Sequence, residues 1–137
     1  MPRDRPDPGS PHDWMRRAMA DLALANVPLP AGGLYEDLCF HTQQAAEKAL
    51  KAVYVRFGWP FRYVHDLEEL VTGLRGHGLS LPEDIESVLV LTTYASDARY
   101  PGLPESVTED EYDHALAVAT SVVRWAESIV DVSPPGS

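Results

Sequence analysis

The sequence lacks several features that define large classes of proteins. Its single cysteine, Cys39, excludes an internal disulfide framework and a metal site built from several thiolates of one chain. No run of about 18 apolar residues is present, which argues against a membrane-spanning helix. The N-terminal segment MPRDRPDPGSPHD has no apolar stretch of the kind found in signal peptides. We therefore expect a cytoplasmic protein in which Cys39, between Leu38 and Phe40, is a buried small apolar residue.

The motifs of common catalytic sites are also missing. The sequence has no glycine-rich phosphate loop, no GKS/T motif, no Ser/His/Asp arrangement and no pair of cysteines. Asp110 and His114 stand four residues apart on a predicted helix, but two ligands do not make a metal site. His12 falls in a predicted tail and His77 in a glycine-flanked turn, so both are poor catalytic candidates. We expect neither a metal nor a cofactor.

Charge is present in quantity but is unevenly distributed. The 137 residues carry a formal net charge of −10, which argues against a protein that coats nucleic acid by bulk electrostatics. Residues 40–62 nevertheless hold four basic residues (Lys48, Lys51, Arg56 and Arg62) against the single acid Glu47. Residues 63–137 hold three arginines against fourteen acids. The basic segment is either a confined patch on an acidic body or a helix whose charges pair with acidic neighbours inside the fold.

Apolar residues recur at spacings of three and four along most of the chain, which predicts helices. The predicted helices span residues 12–26, 34–57, from 65 or 66 to about 74, from 80–84 to about 95, and from 108 onward. Asp13 is the expected N-cap of the first helix, and Thr108 with Glu111 predicts a capping box on the last. The predicted fold is all-α: an up-and-down antiparallel four-helix bundle with one extra short helix, formed by residues 12–131. Residues 1–11 and 132–137 are predicted to be disordered tails.

The second helix has apolar residues on more than one side. On a helical wheel its main apolar stripe groups the residues Tyr35, Leu38, Thr42, Ala46, Ala49 and Val53. A second face carries His41, Gln44 and Lys48 at positions i, i+3 and i+7, and a third side carries Gln43 and Glu47 beside Leu50 and Tyr54. Such a helix is expected to be contacted from several directions, and its alanines allow another backbone to come close.

We name His41, Gln44 and Lys48 the polar row. Because its members are aligned next to the apolar stripe, they suit the binding of an anion or a nucleobase, or bonds across a dimer interface. The alternative is a half-buried polar seam whose groups are satisfied by neighbouring helices.

Three segments, in order, resemble the HEPN superfamily. The segment FHTQQAAEKALKA (residues 40–52) is similar to the helix signature of its prokaryotic members. YVHDLEEL (residues 63–70) is similar to their T-H-D/N-L element, and ARYP (residues 98–101) matches a tetrapeptide that precedes their last helix. The resemblance covers residues 14–130. It implies a bundle of four to five helices and commonly a homodimer. The implied functions are nucleotide binding or RNA cleavage in toxin–antitoxin, CRISPR-linked and defence systems, often beside a minimal nucleotidyltransferase antitoxin.

The sequence departs from this family at the nuclease motif. Active members carry an arginine followed four to six residues later by a histidine, which perform phosphate stabilisation and acid–base chemistry. Here Arg62 and His65 are three residues apart, Arg75 and His77 are two apart, and the first histidine after Arg99 is fifteen residues on. This departure favours a dimeric nucleotide- or RNA-binding or interaction module over a metal-independent RNase.

Outside the polar row, the resemblance directs attention to three further residues. Arg99 can clamp a phosphate and Tyr100 can stack on a base, although an Asp97–Arg99 pair that fixes the loop is an equal alternative. His65 is a further candidate for ligand binding, at a helix start where capping by Asp66 is the simpler explanation. Should the protein be an RNase, His41, Arg99 and Tyr100 are the catalytic candidates.

Overall fold

The computed structural model describes residues 6–61, 66–86 and 107–131. Within these ranges the secondary structure is helical and contains no strand. The helices are α1 (Pro11–Ala25), α2 (Tyr35–Phe57), α3 (Leu67–Gly76), α4 (Glu83–Glu86) and α5 (Glu109–Val130). The all-α prediction is confirmed. The predicted continuation of the fourth helix to about residue 95 lies outside the described residues.

Local sequence signals account for several of the helix ends. Asp66 caps α3 by accepting hydrogen bonds from the amides of Glu68 and Glu69, as the sequence suggests. The Thr108–Glu111 capping box predicted for α5 is present. α2 ends at Gly58, whose φ of +72° is the left-handed conformation that glycine adopts most readily.

The expected N-cap of α1 was wrong. The N-cap is Ser10, whose hydroxyl accepts from the Asp13 amide, and Pro11 takes the first helical position. Proline is favoured there because its missing N–H would have no partner in that turn. Asp13 instead lies buried in the first turn and accepts a hydrogen bond from the Gly9 amide. That bond, with help from two arginines and against the effect of burial, lowers the pKa of Asp13.

α2 is the central helix of the fold. It packs against α1, α3 and α5, and α1 also contacts α5. Tyr112, at the start of α5, donates its hydroxyl to the carbonyl of Ala25 at the end of α1, and its ring packs against the ring of Tyr35 at the start of α2. α1 therefore runs antiparallel to both α2 and α5. Between Leu38 and Tyr54 most side chains of α2 are buried, and one side, which carries His41, Gln44 and Lys48, stays partly exposed.

The core combines small and large side chains. The four buried alanines of α2, Ala45, Ala46, Ala49 and Ala52, are fully inaccessible to solvent. The largest fully buried side chains include Leu50, Leu67 and Leu70. In the described part of the chain, no helix has the length and apolar character needed to cross a bilayer.

Candidate functional site

The polar row is bonded to α1 through Asp21. His41 Nδ1 lies 3.0 Å from one carboxylate oxygen of Asp21, and Lys48 Nζ lies 2.5 Å from the other. Asp21 is buried, whereas the side chains of His41 and Lys48 keep 33% and 28% of their exposure. One carboxylate of α1 therefore bridges two members of the row. This arrangement matches the alternative of a half-buried polar seam whose groups are satisfied by a neighbouring helix.

The third member of the row starts a chain of hydrogen bonds along α2. Gln44 donates to the side-chain oxygen of Gln43, and Gln43 donates to Glu47 at 3.1 Å. Glu47 in turn accepts from Lys51 at 2.9 Å. Gln43, Glu47 and Lys51 stand at successive i, i+4 positions, so their side chains meet on one side of the helix. These three residues retain at most 4% of their exposure, so the bonds form inside the protein.

The ammonium of Lys51 also lies against aromatic rings. It is 5.7 Å from the ring centres of both Trp14 and Phe61, a distance at which a cation is attracted to a ring face. Pairing with Glu47 and contact with two rings together offset the cost of burying this charge. Lys48 thus pairs with Asp21, and Lys51 pairs with Glu47. These pairs match the second alternative for the basic segment, in which its charges are paired with acidic neighbours inside the fold.

The sequence did not predict that Asp21 is the partner of the polar row, and it did not predict that Lys51 is buried. Asp21 is 20 residues from His41 and 27 from Lys48, and nothing local marks it as their partner. Lys51 could have been found, because the i, i+4, i+8 spacing with Gln43 and Glu47 is visible in the sequence.

The remaining candidates divide into two groups. His65, Arg99 and Tyr100 lie outside the described residues, so their relation to the polar row stays a prediction. His77 is stacked on Trp59 with ring centres 4.0 Å apart, and His114 is exposed on α5. Within the described ranges, no group of three or more metal-ligating side chains is close enough to hold an ion.

Cys39 is buried without exposure, as expected. Burial, together with the negative charges of Glu111 and Glu36, raises the pKa of its thiol to about 12. A thiol with such a pKa stays protonated near neutral pH and is a poor nucleophile. Cys39 is therefore a packing residue.

An open groove of about 400 Å³ lies between α1 and α5. Met19 of α1 lines it with 47% exposure, and the partly buried Leu22 and Leu116 add apolar lining from α1 and α5. Arg124 and Glu127 add opposite charges to the same lining. The groove thus combines an apolar surface with one positive and one negative side chain.

Comparison with known proteins assigns the fold to a family. Residues 11–129 match the family model described as the HEPN domain. The crystal structure of an archaeal HEPN homologue is similar, with a TM-score of 0.72 and 29% sequence identity over 89% of this chain and 98% of that chain. A search of curated proteins found no significant match. Because the family model spans most of the sequence, the chain belongs to the HEPN domain family.

Proposed function

We propose that the protein is the HEPN component of a toxin–antitoxin pair and acts in the cytoplasm as a homodimeric binding module for nucleotide or RNA. The observation that carries this proposal is the groove between α1 and α5. Exposed apolar surface of this kind marks interaction sites on small proteins. The missing Arg-to-His spacing supports a binding module rather than an enzyme.

The charges of the groove favour a second copy of the chain as its occupant. Arg124 and Glu127 are three residues apart on α5, so they lie on neighbouring positions of one face. In an interface with two-fold symmetry, the arginine of each copy can meet the glutamate of the other. The apolar surface around Met19 would then be removed from water in both copies.

Light scattering after size exclusion tests the dimer. The wild-type protein is expected at twice the chain mass of 15.1 kDa. Met19→Lys should shift it to the monomer, because a charge would be buried at the interface. Leu24→Lys is the matched control, since Leu24 is 50% exposed on the same helix but does not line the groove. A wild-type monomer, or a dimer that Met19→Lys leaves intact, would contradict the proposed interface.

Nucleotide or RNA binding is assigned to the polar row. His41 and Lys48 are partly exposed, and a phosphate would share them with Asp21, so binding should be weak. Calorimetry with ATP, GTP and a short RNA is expected to give dissociation constants of about a millimolar, and Lys48→Ala should remove the signal. Arg56→Ala serves as a control at a second cation of α2 that lies outside the row. The absence of heat with the wild-type protein at millimolar ligand would rule out this part of the proposal.

The protein partner is proposed to be a minimal nucleotidyltransferase that acts as antitoxin. Membership of the family, and the resemblance of α2 to the signature of its prokaryotic members, support this proposal. Co-expression of the chain with the product of its adjacent gene tests the idea, and a stable complex is the expected result. An unrelated neighbouring gene whose product does not co-purify would argue against the pair.

A second candidate function is a metal-independent RNase with a variant site. The hydrogen bond between Asp21 and His41 favours it, because a carboxylate at Nδ1 orients an imidazole and leaves Nε2 for proton transfer. Arg99 and Tyr100 would then supply the phosphate contacts. Expression should arrest growth, and His41→Ala and Arg99→Ala should each relieve the arrest. Normal growth with the wild-type protein would leave the binding module as the better explanation.

A further inference from the structure

An exposed apolar surface lies at the end of the bundle where α1 is connected to α2. It is formed by Leu24, Val27 and Leu34, which are 50%, 41% and 51% exposed, and we name it the end patch. The three side chains line a cavity of about 260 Å³. The cavity is completed by Leu29, Pro30, Gly33, Asp37, Leu38 and His41. None of these residues lines the groove between α1 and α5.

The exposed apolar side chains of the protein are concentrated at this place. In the described part of the chain, the large ones are Met19, Leu24, Val27, Leu34 and Phe57. Three of the five line the one cavity. Apolar side chains that stand singly on a surface need no explanation, whereas a group of them indicates an interaction site.

The loop that carries the end patch has a defined shape. The amide of Gly33 donates to the carbonyl of Pro30 at 2.9 Å, and Gly32 takes the left-handed φ of +82° within this turn. Leu29 packs against the core from the same loop. Because the loop is already held in this way, a partner that binds the patch does not have to order it, which lowers the entropic cost of binding.

The end of the bundle that carries the patch is acidic. α1 ends here and α2 and α5 begin here, and residues 18–47 and 107–123 contain no lysine or arginine. Acids of both helices converge, since burial and the charges of Glu111 and Glu36 together raise the pKa of Cys39. The first turns of α2 and α5 carry six carboxylates: Glu36, Asp37, Glu109, Asp110, Glu111 and Asp113. The positive ends of the two helix dipoles, worth about half a charge each, leave most of this negative charge uncompensated.

These charges restrict what can cover the end patch. RNA or an anionic membrane surface would bring phosphates next to carboxylates and would be repelled. A second copy of the chain, related by a two-fold axis at this end, would bring the same carboxylates of both copies together. A small molecule is also a poor fit, because the cavity is smaller than the roughly 300 to 1,000 Å³ of most ligand sites. A positively charged protein segment meets none of these objections.

The form of the segment follows from what the surface offers. The described residues contain no strand, so they provide no strand edge with which an extended peptide could pair. Binding must rest on side chains, and a helix presents apolar side chains on one face at spacings of three and four residues.

We propose that the end patch binds a basic amphipathic helix of a partner protein. Apolar side chains of that helix enter the cavity between Leu24, Val27 and Leu34. Lysines and arginines on its flanks face the carboxylates, among which Asp37 lies on the cavity lining itself. The surface is separate from the proposed dimer groove, and its use does not depend on the partner named in the proposed function.

Fluorescence anisotropy on the full chain tests the proposal. The probe is a labelled synthetic helix of about 16 residues, or about four turns, with leucines on one face and lysines on the flanks. Saturable binding is expected with a dissociation constant of about 10 μM. Two reference peptides have alanines in place of the leucines, or glutamates in place of the lysines. Each should bind at least about tenfold more weakly, because each lacks one of the two matched properties.

A pair of variants connects the binding to the end patch. Leu34→Lys should weaken binding of the leucine–lysine peptide at least about tenfold, because it places a charge of the same sign as the peptide in the patch. Phe57→Lys is the matched control, since Phe57 is 40% exposed and lies at the other end of α2. The two variants have the same net charge, so a difference between them cannot come from the overall charge of the protein. Thermal unfolding checks that both are folded, and Leu24→Lys repeats the test from α1.

The dimer and the end patch can fail separately. Met19→Lys, which should break the proposed dimer, is expected to bind the leucine–lysine peptide as the wild-type protein does. Loss of peptide binding in this variant would show that the two surfaces are not separate and would contradict the proposal.

Four further results would overturn the proposal. They are the absence of saturable binding, equal affinity for either reference peptide, equal affinities of Leu34→Lys and Phe57→Lys, and association of the free protein beyond a dimer that Leu34→Lys abolishes. The last result, measured by light scattering, would show that another copy of the chain covers the end patch.

Discussion

The charges of Glu47 and Lys51 lie inside the protein, and each is satisfied from more than one direction. Glu47 accepts from Gln43 and Lys51, and Lys51 also contacts the rings of Trp14 and Phe61. A buried ion pair contributes little net stability compared with apolar packing, but the loss of one partner leaves an uncompensated charge. The stability of the fold therefore depends on both charges being present together.

Lys51→Met is expected to lower the free energy of unfolding by about 3 to 5 kcal/mol, because the Glu47 carboxylate stays buried without its cation. Urea denaturation followed by circular dichroism measures this change. Adding Glu47→Gln to Lys51→Met should recover part of the loss. Arg17→Met removes an arginine that is exposed, and Asp13 keeps the Arg16 side chain and the Gly9 amide as donors, so the change should cost less than about 1 kcal/mol. Equal effects of the exposed and the buried substitution would contradict this account.

Asp21 joins α1 to α2 because it accepts from both His41 and Lys48. Asp21→Asn is expected to lower the free energy of unfolding by about 1 to 3 kcal/mol, since a neutral amide has one acceptor oxygen and cannot serve both His41 and Lys48. Asp37→Asn, at an exposed position in the first turn of α2, is the control and should change stability little. The same Asp21→Asn protein should bind ATP more tightly if Lys48 holds a phosphate. Unchanged ATP binding would leave Lys48 as a purely structural residue.

At the scale of elements, α3 packs closely against α2 where Gly73 meets Tyr54. The Tyr54 hydroxyl donates to the carbonyl of Leu70 at 2.7 Å, and a side chain at position 73 would overlap that hydroxyl. Glycine is unfavourable inside a helix, so its presence here is explained by this close approach.

Gly73→Ala is expected to destabilise the protein by about 1 to 3 kcal/mol, because Tyr54 is buried and cannot move aside freely. Gly76→Ala is the matched control on the same helix: a Cβ there meets nothing within 4 Å. It should leave stability unchanged or raise it by up to about 1 kcal/mol. Combining Gly73→Ala with Tyr54→Phe should relieve part of the overlap, and thermal unfolding of the variants measures each effect. Equal stabilities of the two single variants would contradict the overlap.

The helices could be predicted because their signals are local. Asp66 and Thr108 cap the helices they precede, and Gly58 ends α2, all within one turn of the residues concerned. The N-cap of α1 was predicted wrongly because Asp13 and Ser10 are both good capping residues. The proline that follows Ser10, and does not follow Asp13, is the signal that distinguishes them. The partners of the polar row could not be predicted, since Asp21 reaches His41 only after the chain has turned back on itself.

Across the whole molecule, some ionisable groups have native pKa values below their ordinary values and others have native pKa values above them. Because the pKa of Asp13 is lowered in the native state, its carboxylate stabilises the native protein at pH values above the ordinary pKa of 3.8. This stabilisation is lost as the pH falls. Burial raises the pKa values of Tyr54, Tyr112 and Cys39, so their protonated forms stabilise the native state below the ordinary pKa of each group. Stability is therefore expected to be greatest between these limits.

At alkaline pH the native protein should lose stability first through Cys39. In the unfolded chain the thiol ionises near its ordinary pKa of 9.0, whereas in the native state its pKa is about 12. Between these values the unfolded chain binds fewer protons, so the free energy of unfolding falls by at most about 1.4 kcal/mol per pH unit for this group. The tyrosines add to the slope only above their ordinary value of 10.0.

Urea midpoints measured from pH 8 to pH 10 are therefore expected to fall with pH for the wild-type protein and to fall less for Cys39→Ala. The native thiol should also react with a disulfide reagent at pH 8 only as fast as the protein opens, because the buried group is protonated. Addition of urea should make the reaction fast. Rapid labelling of the folded protein would show that the thiol is accessible to solvent. An alkaline slope that Cys39→Ala does not reduce would show that packing around the thiol does not control its ionisation.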